Sequence, residues 1–210
     1  MFEALPDNDP LRARPGGATL GSVDQPGRRH LSERQAEAVE RLVVAAAGEV
    51  EARPYGEISV RTIAKRAGVA PATAYTYFSS KDHLLAEVLW RRMQSPPVLV
   101  DLNLPLPERV AETVRTMGFG ALDSPAVVSA CTTALLGGGP DVKHVRSRIG
   151  REITQRLAAA LGPEADPAIL RVLQITYTGA ILSAGMGHLP FDALPGLLAE
   201  AADLLTRGAA

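Results

Sequence analysis

Apolar side chains recur at i, i+3, i+4 and i+7 just after Ser59, the spacing of one buried helical face: Val60, Ile63, Ala64 and Ala67. Ser59 is a good N-cap residue, and Gly68 can adopt the left-handed conformation that ends a helix. Pro71 suits the first turn of a second helix, because its missing N–H costs little there. The pattern predicts two short helices joined by a tight turn, a helix-turn-helix over residues 59–81.

The second of these helices carries an outward face of small, hydroxyl and aromatic residues: Ala72, Thr73, Tyr75, Thr76 and Tyr77. Ala74 and Phe78 share its inward face. Threonine methyl groups can contact thymine methyl groups, and hydroxyls can reach phosphates or base edges. Such a face is poor core material, and it suits the major groove of DNA.

These residues resemble the TetR family of bacterial transcriptional regulators over about residues 31–94. The matching run is Ala67-Gly68-Val69, Thr73-Ala74-Tyr75-Thr76-Tyr77-Phe78, Lys81 and Leu84-Leu85. Ala70 and Ala72 depart from it, since relatives often carry polar or glycine residues there, and Ala74 replaces a bulkier residue. The reading helix lacks Arg, Lys, Asn and Gln, so we infer that its threonines and tyrosines make the contacts and that DNA shape contributes more than usual.

Within this reading, the DNA-binding residues divide into two groups. We expect Thr73 and Thr76 to face bases, while phosphate contacts are expected from Thr62, Tyr75, Tyr77 and Lys81. Arg61 and Ala72 complete the predicted DNA-binding set. Two reading helices related by two-fold symmetry would enter successive major grooves, which predicts an operator that is an inverted repeat.

The rest of the chain predicts an all-α protein. Residues 1–30, rich in Pro, Gly and Asp, are expected to be a disordered arm whose Arg12, Arg14, Arg28 and Arg29 either enter the minor groove or stay solvated. A capping box of Ser32 and Gln35 predicts the start of the first helix. The predicted units are a helix-turn-helix domain at 31–80, connecting helix 4 at 81–95, and a helical regulatory and dimerisation domain at 96–210. The further helices are predicted at 106–121, 125–136, 141–161, 167–187 and 192–207.

The predicted helix at 167–187 carries a stripe of small residues: Thr176, Gly179, Ala180, Ser183, Ala184 and Gly187. Its larger residues Ile175, Leu182 and Met186 are expected to fill the domain core. The last helix has an apolar stripe that includes Leu197, Leu198, Ala201, Leu204 and Leu205. TetR-like proteins dimerise through two such helices per subunit, so the two stripes are the predicted homodimer interface; an intrachain contact is the alternative.

The resemblance also implies a C-terminal pocket for a small inducer, whose binding shifts helix 4. Candidate lining residues are Trp90, Met93, Met117, Phe119, Cys131, Leu135, Tyr177 and Met186. Each of them also suits an ordinary core position. Because few of them titrate, we expect an apolar or weakly polar ligand.

Composition narrows the remaining classes of function. The formal net charge is −1, although residues 28–95 hold 11 Lys and Arg against 8 Asp and Glu. With Cys131 as the single cysteine and four scattered histidines, we expect no metal site, cofactor or catalytic centre. No apolar run near 18 residues and no signal-peptide core is expected, which predicts a cytoplasmic protein without membrane contact. A helical ligand- or protein-binding module that has lost specific DNA binding is the alternative function.

Overall fold

A computed structural model describes residues 26–94, 100–117 and 124–207 of the 210-residue chain, with side chains from residue 33 onward. Within these ranges the chain forms nine α-helices and no strands, which confirms the all-α class. The helices are α1 (Pro26–Ala52), α2 (Val60–Ala67), α3 (Pro71–Tyr77), α4 (Lys81–Met93), α5 (Leu106–Thr116), α6 (Pro125–Leu135), α7 (Pro140–Leu161), α8 (Pro167–Gly185) and α9 (Leu194–Arg207). Short 3₁₀ turns lie at Tyr55–Glu57 and Phe191–Ala193.

Local signals set the bounds of α2 and α3. The Ser59 side chain accepts the Thr62 backbone N–H at 3.1 Å, and Thr62 Oγ1 accepts the Ser59 N–H at 3.0 Å, which makes a reciprocal capping box. Gly68 ends α2 with φ 64° and ψ 32°, a left-handed conformation that strains residues with a Cβ. Pro71 begins α3 as expected.

Two helix ends differ from the predictions by more than two residues. α1 begins at Pro26, so Ser32 lies inside it and does not cap it. Pro26 explains the earlier start, because proline is well suited to a first helical turn. Residues 26–30 therefore belong to α1, with Arg28 and Arg29 among them, whereas the rest of the predicted arm, Arg12 and Arg14 included, lies outside the described residues. α5 ends at Thr116, before the expected 121, because Met117 is extended with φ −70° and ψ 131°.

Helix α4 connects the helix-turn-helix to the rest of the protein. It packs against α1, α6 and α7. Leu84, Leu85, Leu89 and Met93 are fully buried along its length. One apolar core therefore continues across α4, from the helix-turn-helix to α6 and α7.

Helix α8 is more apolar than was expected from the sequence. An 18-residue stretch of this helix has a mean hydropathy of 1.2, so it is long and apolar enough by composition to cross a membrane, contrary to the expectation that no such run exists. However, Leu173, Tyr177 and Ile181 pack against the protein core. The helix contacts α6, α7 and α9, but only 28% of that stretch is buried, so it packs along one face and leaves the other outward.

Candidate nucleic-acid interface and ligand cavity

The outer face of α3 is built as a reading surface. Ala74 is fully buried and Phe78 is 3% exposed, which fixes the rotation of the helix. Ala72, Thr73 and Thr76 consequently face outward, and Tyr75 is 48% exposed beside them. Thr76 Oγ1 donates to the Ala72 carbonyl at 3.1 Å, which leaves its acceptor lone pairs and methyl group directed outward.

The predicted phosphate contacts lie in different environments. Arg61 is exposed and Tyr77 is half-buried. The Thr62 hydroxyl is occupied by the capping box, since it also donates to the Ser59 carbonyl at 2.9 Å. Lys81 Nζ donates to the Tyr55 carbonyl at 2.7 Å and lies 4.1 Å from the centre of the Tyr55 ring. The Lys81 ammonium has three N–H donors and uses one of them on Tyr55, so the other two can turn toward a phosphate.

Tyr55 also belongs to this region, although the sequence did not predict a role for it. Its hydroxyl donates to Asp82 Oδ1 at 2.6 Å, and burial together with this bond raises the pKa of the phenol. Asp82 lies in the first turn of α4, where a carboxylate also favours the positive end of the helix dipole. Tyr55 therefore ties the segment before α2 to the start of α4 and holds Lys81 beside the reading helix.

Helices α4 and α7 run in the same direction and meet along a line of polar contacts. Near α3, Asp141 of α7 accepts a hydrogen bond from Ser79 Oγ at 2.6 Å and lies 3.9 Å from His83 Nδ1. Half-way along, Arg148 Nη1 is 3.4 Å from Glu87 Oε2, and its guanidinium lies 4.3 Å from the centre of the Trp90 ring.

The third contact of this line lies at the far end of α4. Arg156 donates to the Met93 carbonyl through Nη2, to the Thr116 carbonyl at 3.4 Å and to Glu152 Oε1 at 2.7 Å. Spacings of seven and eight residues place Asp141, Arg148 and Arg156 on one face of α7. We call these three residues and their partners the polar seam. Through it α7 holds α4 from the reading head to its C-terminus.

A neighbouring face of α7 borders a cavity of about 180 Å³ between α6, α7 and α8. Its walls are mostly apolar, and they are formed by Thr132, Leu135, Leu136, Arg146, Ile149, Gly150, Ile153, Tyr177, Thr178, Ile181 and Leu182. The one charged lining residue, Arg146, donates through Nη1 to the Leu135 carbonyl at 2.6 Å and to that of Gly137 at 3.3 Å. Its charge therefore lies at the C-terminal end of α6, a favourable position for a cation.

The predicted ligand-pocket residues separate into five groups. Leu135 and Tyr177 line this cavity. Met93, Met117 and Cys131 are fully buried but are not part of its wall, and Trp90 belongs to the polar seam. Met186 is 64% exposed and faces outward, so its assignment to an interior pocket is wrong. Phe119 lies outside the described residues.

The prediction of which side of α8 faces the core was wrong. Ile175 and Met186 were expected to fill the core, yet they are 67% and 64% exposed. Ala180 and Ala184 from the small stripe are instead buried within the chain, as is Leu198 of α9, which removes them from an outward interface. The reason is the close approach of α6 to α8: a Cβ placed at Gly185 would lie 3.1 Å from Thr132 Cγ2.

The outward face of α8 and α9 nevertheless combines large and small residues. Its most exposed apolar members are Val172, Ile175, Met186, Leu197 and Leu204. Between them lie Gly179 and Gly187, which are exposed, and Thr176, Ser183, Ala201 and Leu205, which are partly buried. We call this the α8/α9 face. Clustered exposed apolar side chains of this kind mark interaction sites.

Chemistry-bearing clusters are sparse in the part of the chain that the structure describes. No group of three or more His, Cys, Asp or Glu side chains there could hold a metal ion. Cys131 is buried, and this burial raises the pKa of its thiol from 9.0 to about 12, although nearby Arg92 opposes the shift.

Comparison with known proteins agrees with the geometry. The family model for bacterial regulatory proteins of the tetR family matches residues 42–88. An uncharacterized helix-turn-helix transcriptional regulator of Mycobacterium bovis is 40% identical over 180 residues, 85% of this chain and 84% of that protein. A TetR transcriptional regulator of Rhodococcus sp. RHA1 superimposes with a TM-score of 0.67 at 26% identity, covering 85% of this chain and 99% of its own. FadR of Bacillus subtilis, solved with stearoyl-CoA, shares the fold with a TM-score of 0.54 at 18% identity, over 80% of this chain and 98% of its own.

Proposed function

Because the chain belongs to the TetR family of bacterial transcriptional regulators, we propose that it is a cytoplasmic, homodimeric repressor released from an inverted-repeat operator by a small, largely apolar ligand. The observation that carries the proposal is the outward face of α3, where Thr73, Thr76 and Tyr75 are presented on a helix locked by buried Ala74 and Phe78. In this assignment α1–α3 read DNA, α4 connects, and α5–α9 form the regulatory and dimerisation unit.

The contacts to DNA follow from side-chain availability. Thr73 and Thr76 face the bases, and Tyr75 and Arg61, both exposed, contact phosphates. Lys81 contributes from beside the helix while it remains bonded to Tyr55. The Thr62 hydroxyl is already paired within the capping box, so its contribution to affinity comes through the rigidity of α2.

The dimer forms through the α8/α9 face. Its exposed apolar side chains would be costly to leave in water, since burial of apolar surface contributes about 25 cal/mol per Å². A two-fold axis through this face pairs each helix with its copy and buries Ile175 and Leu204, which are 67% and 63% exposed in one chain. The two reading helices would then be related by the symmetry that an inverted repeat requires.

The ligand acts through α7. Its residues Arg146, Ile149, Gly150 and Ile153 border the cavity, and its adjacent face holds α4 through the polar seam. A ligand that changes the position of α7 therefore changes the position of α4 and the spacing of the reading heads. This route requires no contact between the ligand and the DNA-binding helices.

Selection of bound duplexes from a random DNA pool, with the purified full-length protein, tests the DNA arm of the proposal. An inverted repeat is expected, and its affinity should fall steeply as salt rises, because each phosphate contact releases counterions. Thr73→Ala and Thr76→Ala should alter the preferred bases, whereas Arg61→Ala should weaken all sequences alike and lower the salt dependence by about one phosphate contact. Recovery of unselected DNA alone, with and without ligand, would instead support the module that has lost specific DNA binding.

Molar mass in solution tests the dimer. Ile175→Glu should yield a monomer in light scattering coupled to size exclusion, because a carboxylate would be buried at the centre of the interface. Val44→Glu is the matched control, since Val44 lies on α1 away from the α8/α9 face and is similarly exposed at 65%. A dimer that persists in Ile175→Glu at micromolar concentration would place the interface elsewhere.

A further inference from the structure

The size of the cavity restricts its ligand. Drug-sized ligands occupy pockets of roughly 300–1,000 Å³, whereas an engineered cavity of about 150 Å³ in another protein stays dry and binds benzene. At about 180 Å³, the cavity between α6, α7 and α8 is close to the second case in volume, but it is about half open to the surface. The room suffices for a single ring with a small substituent, whereas most of a long acyl chain, such as that of the stearoyl-CoA in FadR, would extend out of it.

Gly150 keeps this volume free. Glycine weakens a helix interior relative to alanine, so a mid-helix glycine calls for a reason. Gly48 has one in packing, because an added Cβ would lie 2.7 Å from Arg66. A Cβ at Gly150 would meet nothing within 4 Å, and Gly150 lines the cavity. Its missing side chain leaves space that a larger residue would fill.

Thr132 supplies the wall with an unused polar group. Threonine hydroxyls in these helices commonly donate to the carbonyl four residues earlier, as those of Thr133, Thr154 and Thr178 do at 2.8–2.9 Å. Thr132 is 6% exposed, and its Oγ1 is enclosed and has no hydrogen-bond partner among the described residues. A buried hydroxyl without a partner is costly, and a ligand can relieve that cost if the Thr132 side chain rotates and turns its Oγ1 into the cavity.

We infer that this cavity binds a compact, uncharged ligand, a single ring bearing one hydroxyl or carbonyl group that pairs with Thr132, and that Gly150 sets the size limit. The inference rests on the proposed ligand-responsive function and deepens it. A charged ligand is disfavoured because the walls are apolar and the guanidinium of Arg146 is directed to the end of α6.

Calorimetric titration of the full-length protein with four probes tests the inference: p-cresol, toluene, benzoate and laurate. We expect p-cresol to bind about fivefold more tightly than toluene, the contribution of one neutral hydrogen bond. Benzoate and laurate should bind more weakly than either. Tighter binding of benzoate or laurate, or no binding of p-cresol, would overturn the inference.

Two variants and a control connect the binding to the named residues. Gly150→Leu should fold, since its Cβ meets open space, and should lose at least about tenfold in affinity for p-cresol by filling the cavity. Gly196→Leu is the control, because Gly196 is exposed on α9, outside the cavity, and its added Cβ also meets nothing within 4 Å. Unchanged p-cresol affinity in Gly150→Leu would overturn the assignment of this cavity.

Thr132→Val separates the hydrogen bond from the shape of the cavity. It should bring p-cresol and toluene to equal affinity while leaving the melting temperature of the ligand-free protein the same or higher, because an unpaired hydroxyl is removed. A retained preference for p-cresol would overturn the role of Thr132. DNA selection run in parallel distinguishes the two proposals: an inverted repeat without p-cresol binding overturns only the ligand class, and p-cresol binding without selected DNA overturns only the repressor function.

Discussion

Arg156 should contribute more to stability than any surface ion pair of this protein, because it joins three helices from a mostly buried position. Its side chain is 13% exposed, and its donors reach Glu152 on α7, the Met93 carbonyl at the end of α4 and the Thr116 carbonyl at the end of α5. Arg156→Met retains much of the aliphatic stem and removes only the guanidinium. The substitution therefore tests the polar contacts rather than the packing.

The expected loss can be worked out from these contacts. A hydrogen bond to a charged group contributes about 1.5–3 kcal/mol when both partners are buried. The Thr116 contact is long at 3.4 Å, and Glu152 is 23% exposed, so water can replace part of what is lost. We expect a net loss of about 2–3 kcal/mol in the free energy of unfolding. For a chain of this length that corresponds to roughly 4–12 °C in melting temperature.

Urea unfolding followed by circular dichroism measures this loss. All variants are compared at one protein concentration, because the apparent stability of a dimer depends on concentration. Arg115→Met is the matched control, since it makes the same charge change in a pair with Glu112 whose side chains are 57% and 55% exposed. Exposed pairs contribute about 0.5 kcal/mol or less. If the two variants lost equal free energy of unfolding, the three contacts of Arg156 would contribute no more to stability than an exposed ion pair. Its contact in the polar seam would then not stabilise the packing of α7 against α4.

Three further predictions concern single positions. Gly68→Ala should lower the free energy of unfolding by about 1–2 kcal/mol, because φ at this position is 64°; an unchanged melting curve would contradict the strain. Ser59→Ala should cost about 1 kcal/mol in the same measurement and Ser59→Gly only a few tenths, as expected of a helix cap. Cys131 should resist iodoacetamide at pH 8 in the native protein and react after unfolding in urea, because burial raises its pKa to about 12 and keeps the thiolate scarce; native labelling at the unfolded rate would contradict this.

The parts of the fold that the sequence predicted correctly are those fixed by neighbouring residues. Ser59 caps α2 through Thr62, three residues away, and Gly68 and Pro71 set the turn within the same short stretch. The start of α4, predicted at residue 81, is equally local, because the Ser80 side chain accepts the His83 N–H. Each signal acts over a single helical turn, so no knowledge of tertiary packing was needed. The exposure of Thr73 and Thr76 follows, because the rotation of α3 is fixed by its own apolar pair.

The orientation of α8 could not be read in the same way. A helix that is apolar nearly all round has little amphipathicity, so its sequence does not select an inward face. The outcome depends on α6, whose Thr132 occupies the space beside Gly185, and this approach draws Ala180 and Ala184 into the core. Most residues that line the cavity were missed for a related reason. The cavity is a space between three helices, and its one sequence signal, Gly150 among larger residues on α7, has meaning only once the neighbours are known.

The three contacts of the polar seam differ in exposure in a way that suggests how α7 moves. Asp141 is 50% exposed, Arg148 is 30% and Arg156 is 13%. An exposed contact contributes less and is broken at lower cost than a buried one. We therefore expect α7 to stay anchored at Arg156 and to shift at its Asp141 end, beside the reading helix, when the cavity is filled.

The energies required are modest. Coupling between two sites in one protein is typically about 1–3 kcal/mol, and about 1.4 kcal/mol per subunit would weaken operator binding roughly tenfold per bound ligand. Two ligands acting on one dimer would give about 100-fold. Asp141→Ala should therefore leave the affinity for p-cresol unchanged within about twofold but reduce the ligand-induced change in operator affinity, measured by fluorescence anisotropy of the selected duplex. Because Asp141 lies outside the cavity, a full response in this variant would show that the signal reaches α4 by another path, through the packed core of α6 rather than through the polar seam.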